Sequence, residues 1–292
     1  MVKYLLAIAL LCAPYFTSAQ VDREETREEN NLKDSLYIEE IENKTQLPKV
    51  LHAEPLYIDL IRDLGARKGE HEWNVGMGIT DNQKYDAYQM LVEYEWAPLD
   101  RLGLEIEVPF TFHTPVNGTA RNEVPSHRME SLKTAMQYTF LVSERANTSL
   151  AIGYINELEL ADLSRMSTSN MVQGNVFNPF FVAAKRWGNN FHTLVYTGPR
   201  FEKPFNNAHW HNRFDFNTNI HYMIPGTRNF IGMEFNKEFT HNDFDMTIRP
   251  QLRVSVADNL LVGIVAGIPV QRENERFSSF LRLIWEPGNK HH

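Results

Sequence analysis

Four glutamates with alternating spacing are the strongest candidates for chemistry in this 292-residue chain. They form two pairs, Glu93 with Glu95 and Glu105 with Glu107, and apolar or aromatic residues separate the members of each pair. Successive side chains of a strand point to opposite faces, so both pairs belong to the polar faces of strands. A hairpin centred on Asp100 would set Glu95 opposite Glu105 and Glu93 opposite Glu107. Opposed like charges destabilise a sheet, so this group must be solvated, partly protonated or neutralised.

Other charged residues fall on the same polar face of similar segments. Glu157 and Glu159 extend the acidic side and Lys133 supplies a counter-charge, whereas arginines dominate the far side of the predicted sheet. The later hairpin sets Glu234 opposite Arg249. The full set of predicted lumen-lining residues is Glu93, Glu95, Glu105, Glu107, Lys133, Glu157, Glu159, Arg213, Asp215, Glu234, Arg249, Arg253 and Arg282. An acidic wall facing a basic wall would orient polar or charged solutes in a pore. The alternative is a salt-bridge network that fills a narrow, non-conducting lumen.

Catalytic and metal-binding patterns are weak. His209 and His211 share one strand face, but no carboxylate stands at ligand spacing. Ser126 and His127 suggest a nucleophile and a base for a lipid or ester hydrolase, although such a site is defined by geometry rather than by adjacency. The sequence has no HExxH motif and no glycine-rich phosphate loop. We therefore assign no catalytic residues, no cofactor and no metal site.

The elements that must position these residues are strands. Leu102–His113 alternates large apolar side chains with polar or small ones, which gives one oily and one polar face. Similar segments recur along the chain, although the sixth, seventh and eleventh are less regular. The predicted strands are Glu72–Thr80, Tyr85–Trp96, Leu102–His113, Arg128–Val142, Ser149–Leu160, Val176–Trp187, Phe191–Phe201, Trp210–Met223, Asn229–Phe239, Phe244–Val256, Leu260–Val270 and Phe277–Trp285.

The connections favour a membrane barrel over a soluble β-protein with its oily face inside. Short turns such as Gly188–Asn190 alternate with longer loops such as Thr114–His127. This asymmetry is typical of outer-membrane barrels, whose short turns face the periplasm. The strand lengths also suit a bilayer crossing. We predict an all-β protein, an up-and-down antiparallel transmembrane β-barrel of about 12 strands, spanning residues 71–286 and followed by a tail, 287–292.

The pattern of the N-terminal region indicates an export signal followed by a polar segment. Residues 1–19 have a charged start, an apolar run and small residues before Gln20, as in a secretory signal peptide. A membrane anchor and a lipoprotein signal at Cys12 are the alternatives. Cys12 is the only cysteine, and the formal net charge of −8 argues against nucleic acid as a partner. Residues 20–50 are acidic and are predicted to be a flexible periplasmic lead, with a short helix around Leu36–Glu42 as an alternative.

An amphipathic helix is predicted within residues 51–70. Pro55 suits a first helical turn and Gly65 suits its end. A helix of this length is unstable alone, so it must dock on the barrel mouth, in the lumen or on a partner. The predicted docking or plug residues are Pro55, Leu56, Tyr57, Leu60, Ile61 and Leu64.

The octamer His52–Asp59, HAEPLYID, resembles the signature of an uncharacterised family of bacterial outer-membrane β-barrel proteins known by that string. The likeness runs on through Leu60–Glu70 and into the first strand. It implies an outer-membrane barrel and brings no catalytic residues. We therefore expect a passive porin-like channel or uptake protein of unknown solute. The alternatives are a structural or partner-binding barrel with a filled lumen and, third, a hydrolase. Expected partners are outer-membrane lipid, the barrel-assembly machinery and a periplasmic partner of the N-terminal helix.

Overall fold

The computed structural model describes residues 26–288, except residues 59, 117, 168–169, 242 and 273–274. The predicted signal peptide, residues 1–19, lies outside the described residues, as does most of the predicted tail. No helix in the described part of the chain is long and apolar enough to cross a membrane.

Twelve long antiparallel strands and one two-residue strand form a single closed sheet. Each long strand pairs with its neighbour in the chain, and β13 closes the barrel by pairing with β1. The strands are β1 (His71–Asn82), β2 (Tyr85–Leu99), β3 (Leu102–Pro115), β4 (Arg128–Met129), β5 (Ser131–Ser143), β6 (Thr148–Leu160), β7 (Val172–Trp187), β8 (Phe191–Pro204), β9 (His211–Met223), β10 (Phe230–Phe239), β11 (Phe244–Ala257), β12 (Leu260–Pro269) and β13 (Glu275–Trp285).

All twelve predicted strands are confirmed, including the three that looked less regular. The fourth differs at its start, because Arg128–Met129 pairs separately with β3 as the short strand β4. We call the end of the barrel with the tight turns, such as the one between β7 and β8, the turn end. The opposite end, which carries the long connections such as the one between β3 and β5, is the loop end.

The outer surface is apolar and the inner surface is polar. Large apolar side chains such as Ile152, Ile231 and Trp285 are about half exposed on the outside of the wall. Charged side chains such as Glu93 and Arg282, by contrast, are buried on the inside. A barrel in lipid has an apolar exterior and a polar lumen, whereas a soluble barrel would reverse this arrangement. The prediction of a transmembrane barrel is therefore confirmed.

The N-terminal helix lies elsewhere in the chain than predicted. Residues 26–42 are helical, although they fall in the segment predicted to be flexible. The carboxylate of Asp34 in this helix accepts hydrogen bonds at the turn end from the Asn190 side chain and the Gly226 backbone, both at 2.9 Å. These bonds to two tight turns hold the helix across the mouth of the barrel.

The prediction of a helix within residues 51–70 is wrong. The described residues of this segment form bends and turns without helix. Several of its backbone N–H groups bond to side chains of the barrel wall, so they are not available for helical hydrogen bonds. Arg62 and Gly65 also have positive φ angles, of 61° and 96°, which interrupt a right-handed helix.

Candidate functional site

We call residues 48–70 the plug, and its described residues pass through the interior of the barrel. Plug residues hydrogen-bond to inward-facing side chains on well-separated strands: Ser149 on β6, His192 on β8, Glu234 on β10 and Glu95 on β2. Contacts to such distant parts of the wall require the segment to cross the lumen. The plug therefore occupies the space through which a solute would pass.

Apolar side chains seat the plug against two patches of the inner wall. Ile58, Leu60, Ile61 and Leu64 belong to one buried cluster with residues of β5 to β8. Leu56 belongs to a second cluster with residues of β9, β10, β12 and β13. Burying several such side chains contributes about 1.5–3 kcal/mol each, so these clusters stabilise the closed lumen.

Two glycines of the wall make room for this seating. A side chain at Gly103 would meet the Ile61 carbonyl oxygen at 2.2 Å, and one at Gly263 would meet Leu56 at 2.5 Å. The backbone of β3 thus lies too close to the plug backbone for a side chain at Gly103, and a side chain at Gly263 would force Leu56 of the plug to shift.

Glu234 is the main polar anchor of the plug. Its carboxylate accepts three successive backbone N–H groups, from Leu56 (2.9 Å), Tyr57 (3.1 Å) and Ile58 (3.0 Å). Gln251 donates to the same carboxylate at 2.7 Å. Hydrogen bonds to an ionised acceptor are about twice as strong as neutral ones. One fully buried side chain of β10 therefore fixes the conformation of the middle of the plug.

Two histidines, one in the plug and one in the wall, fix the plug residues that precede Leu56. His52 Nε2 lies 3.0 Å from Ser149 Oγ, and the Ala53 backbone N–H donates to His192 Nδ1 at 3.0 Å. Burial, together with the nearby His192 and Arg186, lowers the pKa of His52 to about 3. His52 is therefore neutral while the plug is seated.

Ion pairs hold the rest of the plug. Glu54 pairs with Arg253 of β11 at 3.3 Å. Arg62 pairs with Glu72 of β1, and its backbone N–H donates to Glu95. Burial, reinforced by the negative charge of Asp63, raises the pKa of Glu54 to about 7.

The plug begins and ends close together. Lys49, near its start, pairs with Asp63 and, at 3.3 Å, with Glu70 at its end. Glu70 directly precedes β1, whose first residue pairs with Trp96 close to the tight turn after β2. The plug is thus a loop that both enters and leaves the lumen at the turn end.

The four glutamates lie where the sequence predicted. Glu93 stands opposite Glu107 and Glu95 opposite Glu105 in the β2–β3 ladder. Lys133 of β5 neutralises two of them, lying 3.1 Å from Glu105 and 2.9 Å from Glu107.

The placement of Arg282 differs from the prediction. It was expected across the barrel from the acidic group, yet its guanidinium lies 2.8 Å from Glu93. The reason is that β13 pairs with β1, which brings Arg282 next to the acidic strands. The acidic group is therefore neutralised locally, by Lys133 and Arg282.

Replacing Lys133 by methionine is expected to destabilise the barrel by about 3–5 kcal/mol, because Glu105 and Glu107 would lose a buried counter-charge. Lys84→Met removes a lysine from an exposed pair with Glu123, whose side chains are 64% and 50% exposed, and should cost no more than about 1 kcal/mol. Chemical unfolding in detergent compares the two variants with the unmodified protein. Equal losses of unfolding free energy would show that Lys133 has no special electrostatic role.

Two polar chambers lie between the plug and the loop end. Their volumes are about 470 and 290 Å³, and they share only Tyr57 and Arg249. The Arg249 guanidinium stacks 3.5 Å above the centre of the Tyr57 ring. This plug–wall pair forms the partition between the chambers.

The chambers contain several of the predicted lumen residues. Glu157 pairs with Arg200 at 3.0 Å, and Arg213 pairs with Glu238 at 3.2 Å. As predicted, Glu234 stands opposite Arg249 in the β10–β11 ladder. The predicted residues that line the larger chamber are Glu107, Lys133, Glu157, Arg213, Asp215 and Arg249.

The remaining predicted residues lie elsewhere in the lumen. Arg253 and Arg282 line a small gap beside the plug. Glu159 of β6 packs against Gly174 of β7 and lines neither chamber. Sequence reasoning missed His192, Gln251 and Arg200. All three lie on inward-facing strand positions, but their partners are distant in the chain, so no local pattern marks them.

The alternative hydrolase site is not assembled in the described residues. His127 Nδ1 accepts a hydrogen bond from the His113 backbone at 3.1 Å, and its other ring nitrogen lies 3.4 Å from Arg121. The imidazole is therefore engaged by these groups rather than directed at the Ser126 hydroxyl.

Solved structures resemble this barrel in fold. An outer membrane channel from Pseudomonas putida F1 aligns with 78% of this chain and 99% of its own chain, at 12% identity and a TM-score of 0.58. The NanC porin aligns with 73% of this chain and 98% of its own, at 8% identity and a TM-score of 0.52. At these identities the likeness concerns the fold alone. No curated protein matches the sequence significantly.

The sequence match covers the plug and the barrel together. The sequence model of the HAEPLYID-like family matches residues 48–286, which is most of the chain. The eight residues that give this family its name include those held by Ser149, His192 and Glu234. The chain therefore belongs to the HAEPLYID-like family.

Proposed function

We propose that this protein is a porin-like channel of the outer membrane that takes up a small polar solute, and that its plug is the gate. The observation that carries the proposal is a barrel with a polar lumen, in which the lumen is occupied by a loop of the protein's own chain that enters and leaves at the same end. The folds it resembles include an outer membrane channel and a porin. We assign it no enzymatic activity.

The proposal places the turn end in the periplasm, because outer-membrane barrels have their short turns on that side. The helix of residues 26–42 and both ends of the plug would then be periplasmic. A solute would arrive at the loop end, occupy the chambers above Tyr57 and pass when the plug withdraws.

The way the plug is held supports its mobility. No described residue of the plug belongs to a strand of the barrel. Its backbone hydrogen bonds to the wall lie at its end, where Ala66, Gly69 and Glu70 bond to the backbones of Ala97 and Arg101. The contacts of residues 52–65 with the wall are side-chain hydrogen bonds, ion pairs and apolar packing. Since the plug enters and leaves at one end, it can withdraw without threading through the barrel and without breaking a strand pair.

A filled, structural barrel is the competing function. The two buried apolar clusters between plug and wall favour it. In that case the plug is a permanent core, and weakening one anchor would lower stability without producing current. The two functions therefore make opposite predictions for the anchor at Glu234.

Glu234→Gln is expected to raise the open fraction of the channel at least about tenfold. An amide has one acceptor oxygen where the carboxylate has two, so it sets an N–H group against at least one backbone N–H group of the plug. The loss of a charge-assisted bond, about 1.5–3 kcal/mol, corresponds to a tenfold or larger shift. Single-channel recording of the refolded protein in a planar bilayer measures the open fraction.

Glu238→Gln is the matched control. Glu238 lies on the same strand, pairs with Arg213 and forms none of the hydrogen bonds to the plug. Both variants must first show the mobility difference between unboiled and boiled samples that marks a folded barrel. If Glu234→Gln is folded and as silent as its control, the plug is not a gate held by Glu234.

A further inference from the structure

The larger loop-end chamber combines many charges of both signs that nearly balance. Its described lining includes four basic and five acidic side chains that point inward, because the Lys237 side chain lies over the Phe216 ring on the outer face. Several are paired directly, as in Glu157 with Arg200 and Arg213 with Glu238. The smaller chamber has two of each sign and shares Arg249 with the larger one, so the two together have five basic and seven acidic side chains that point inward.

This charge balance argues against a charged solute. A charged solute would be attracted by one member of each ion pair and repelled by the other, so it would gain little binding energy from the electric field of the site. It would also have to break an ion pair and leave the released partner unpaired at the edge of the lumen.

The uncharged lining suits hydroxyl groups. The larger chamber contains the side-chain amides of Asn178, Asn217 and Asn236, and the smaller one contains the hydroxyls of Thr80, Thr111 and Ser278. Such groups, together with fixed ion pairs, both donate and accept hydrogen bonds, as each hydroxyl of a solute also does. The larger chamber, at about 470 Å³, falls within the usual size range of small-molecule sites.

Tyr57 adds an apolar surface at the centre of the site. Its side chain is 42% exposed and borders both chambers. Arg249 stacks on it at 3.5 Å, and the Phe280 ring meets it edge-on at 6.1 Å. An aromatic ring held from two sides is a rigid platform for the C–H face of a ring-shaped solute.

We propose that the loop-end chambers bind a neutral, polyhydroxylated solute of oligosaccharide type, which contacts Tyr57 of the plug. The inference rests on the proposed function, since a channel must admit its solute at this end. It also gives the plug a direct means of sensing the solute, because the ring at the centre of the site belongs to the segment that closes the lumen.

Calorimetric titration of the refolded full chain in detergent tests the proposal with three probes of similar size. These are maltotriose, which is neutral, trigalacturonate, which is anionic, and chitotriose with free amines, which is cationic. Maltotriose is expected to bind at least about tenfold more tightly than either charged probe. No binding of maltotriose, or tighter binding of a charged probe, overturns the proposal.

Two substitutions assign the binding to these chambers. Tyr57→Ala is expected to weaken maltotriose binding about tenfold, which is the scale of one aromatic contact, while Tyr57→Phe retains most of the affinity. Tyr88→Ala is the matched control, because Tyr88 is a tyrosine of similar exposure, 40%, on the outer face of β2. Equal affinities in Tyr57→Ala and its control would place the site elsewhere and overturn the assignment.

Asp245→Asn tests the role of charge balance without altering shape. It removes the single excess negative charge of the larger chamber. Trigalacturonate should then gain severalfold in affinity while maltotriose changes by less than about twofold. A large loss of maltotriose binding would contradict the proposal.

The outcomes for binding and for transport are separable. Binding of maltotriose by a protein whose Glu234→Gln variant never conducts would leave the binding site standing and overturn the channel. Conductance in that variant without any maltotriose binding would leave the channel standing and overturn the solute class.

Discussion

Removing residues 50–69 is expected to convert a closed barrel into a permanently open one. The deletion takes out every plug residue that contacts the inner wall in the two apolar clusters or through Glu234. A short glycine–serine linker joins Lys49 to Glu70, because the 3.3 Å contact between the ends of their side chains does not bring the two backbones within the span of one peptide bond. The refolded deletion protein should show stable, discrete current steps far above any from the intact protein.

The barrel should survive this deletion because its closure does not depend on the plug. Every long strand pairs with two others, and β1 with β13 completes the ring without plug residues. The deletion exposes the two apolar patches of the inner wall, which lowers the stability of the barrel, but it breaks no pair of strands. Heat-dependent mobility in SDS checks that the deletion protein is folded before its current is recorded.

A second deletion separates the plug from the helix that precedes it. Removing residues 26–42 takes away the helix at the turn end but keeps the plug and its contacts with Glu234 and His192. This protein should remain mostly closed. If both deletions conduct alike, the helix rather than the plug closes the lumen. If neither conducts although both are folded, the lumen is too narrow for a pore.

The strands could be predicted because their signal is local. A period of two and a run of turn residues depend only on neighbours in the chain, and the pairing of Glu93 with Glu107 followed from the turn at Asp100 alone. The membrane location followed from the same alternation, because the apolar face of each strand lies on the outside of the barrel and therefore contacts lipid.

The plug was misread for a reason that is equally physical. Leu56, Ile61 and Leu64 recur at helical spacing, but Leu56 packs against one patch of the wall and the other two against a different patch. The groups that hold the backbone in place, such as Glu234, lie about 180 residues further along the chain. No local pattern can show that such distant side chains replace helical hydrogen bonds.

The helix of residues 26–42 shows the opposite case, in which a segment predicted to be flexible is ordered by contacts with distant residues. Its composition is polar and its apolar face is poor, which favoured disorder. Its order comes instead from a few specific contacts, as between Asp34 and the tight turns, and between Glu42 and Arg186 at 2.8 Å. Single buried polar contacts of this kind become visible only when the fold is known.

Acidification is expected to loosen the plug through His52. In the seated plug the pKa of His52 is lowered to about 3, first by burial and then by the positive charges of His192 and Arg186. In a withdrawn, solvated plug it would return to about 6.5. The withdrawn state therefore binds more protons below pH 6.5, so the seated state loses stability as the pH falls. At pH 5 the loss is about 2 kcal/mol, a factor of about thirty in the open-to-closed ratio.

Glu54 acts in the opposite direction. Burial and the charge of Asp63 raise its pKa in the seated plug to about 7, so the seated state binds the extra proton and gains stability as the pH falls from 7 towards 4.5. Glu70 shares this sign, because burial, with the charge of Asp63, also raises its pKa. The Glu54 side chain is 34% exposed, so its effect is weaker than its pKa alone implies.

Two conservative variants separate these opposing effects. His52→Gln keeps a side chain that can hydrogen-bond Ser149 but cannot gain a proton. Its ratio of open fraction at pH 5 to that at pH 7.5 should be about thirtyfold smaller than in the unmodified protein. Glu54→Gln removes a group that favours closure in acid, so its ratio should be larger than in the unmodified protein.

Single-channel recording of the unmodified protein and the two variants at pH 5 and pH 7.5 tests these expectations. The two variants must shift the acid response in opposite directions, because one loses a group whose pKa falls on seating and the other a group whose pKa rises. An unchanged acid response in both variants would mean that neither group is differently solvated in the open and closed states. The plug would then not leave the buried sites around Ser149 and Arg253 when the channel opens, and gating would have to occur at Tyr57 and the loop end instead.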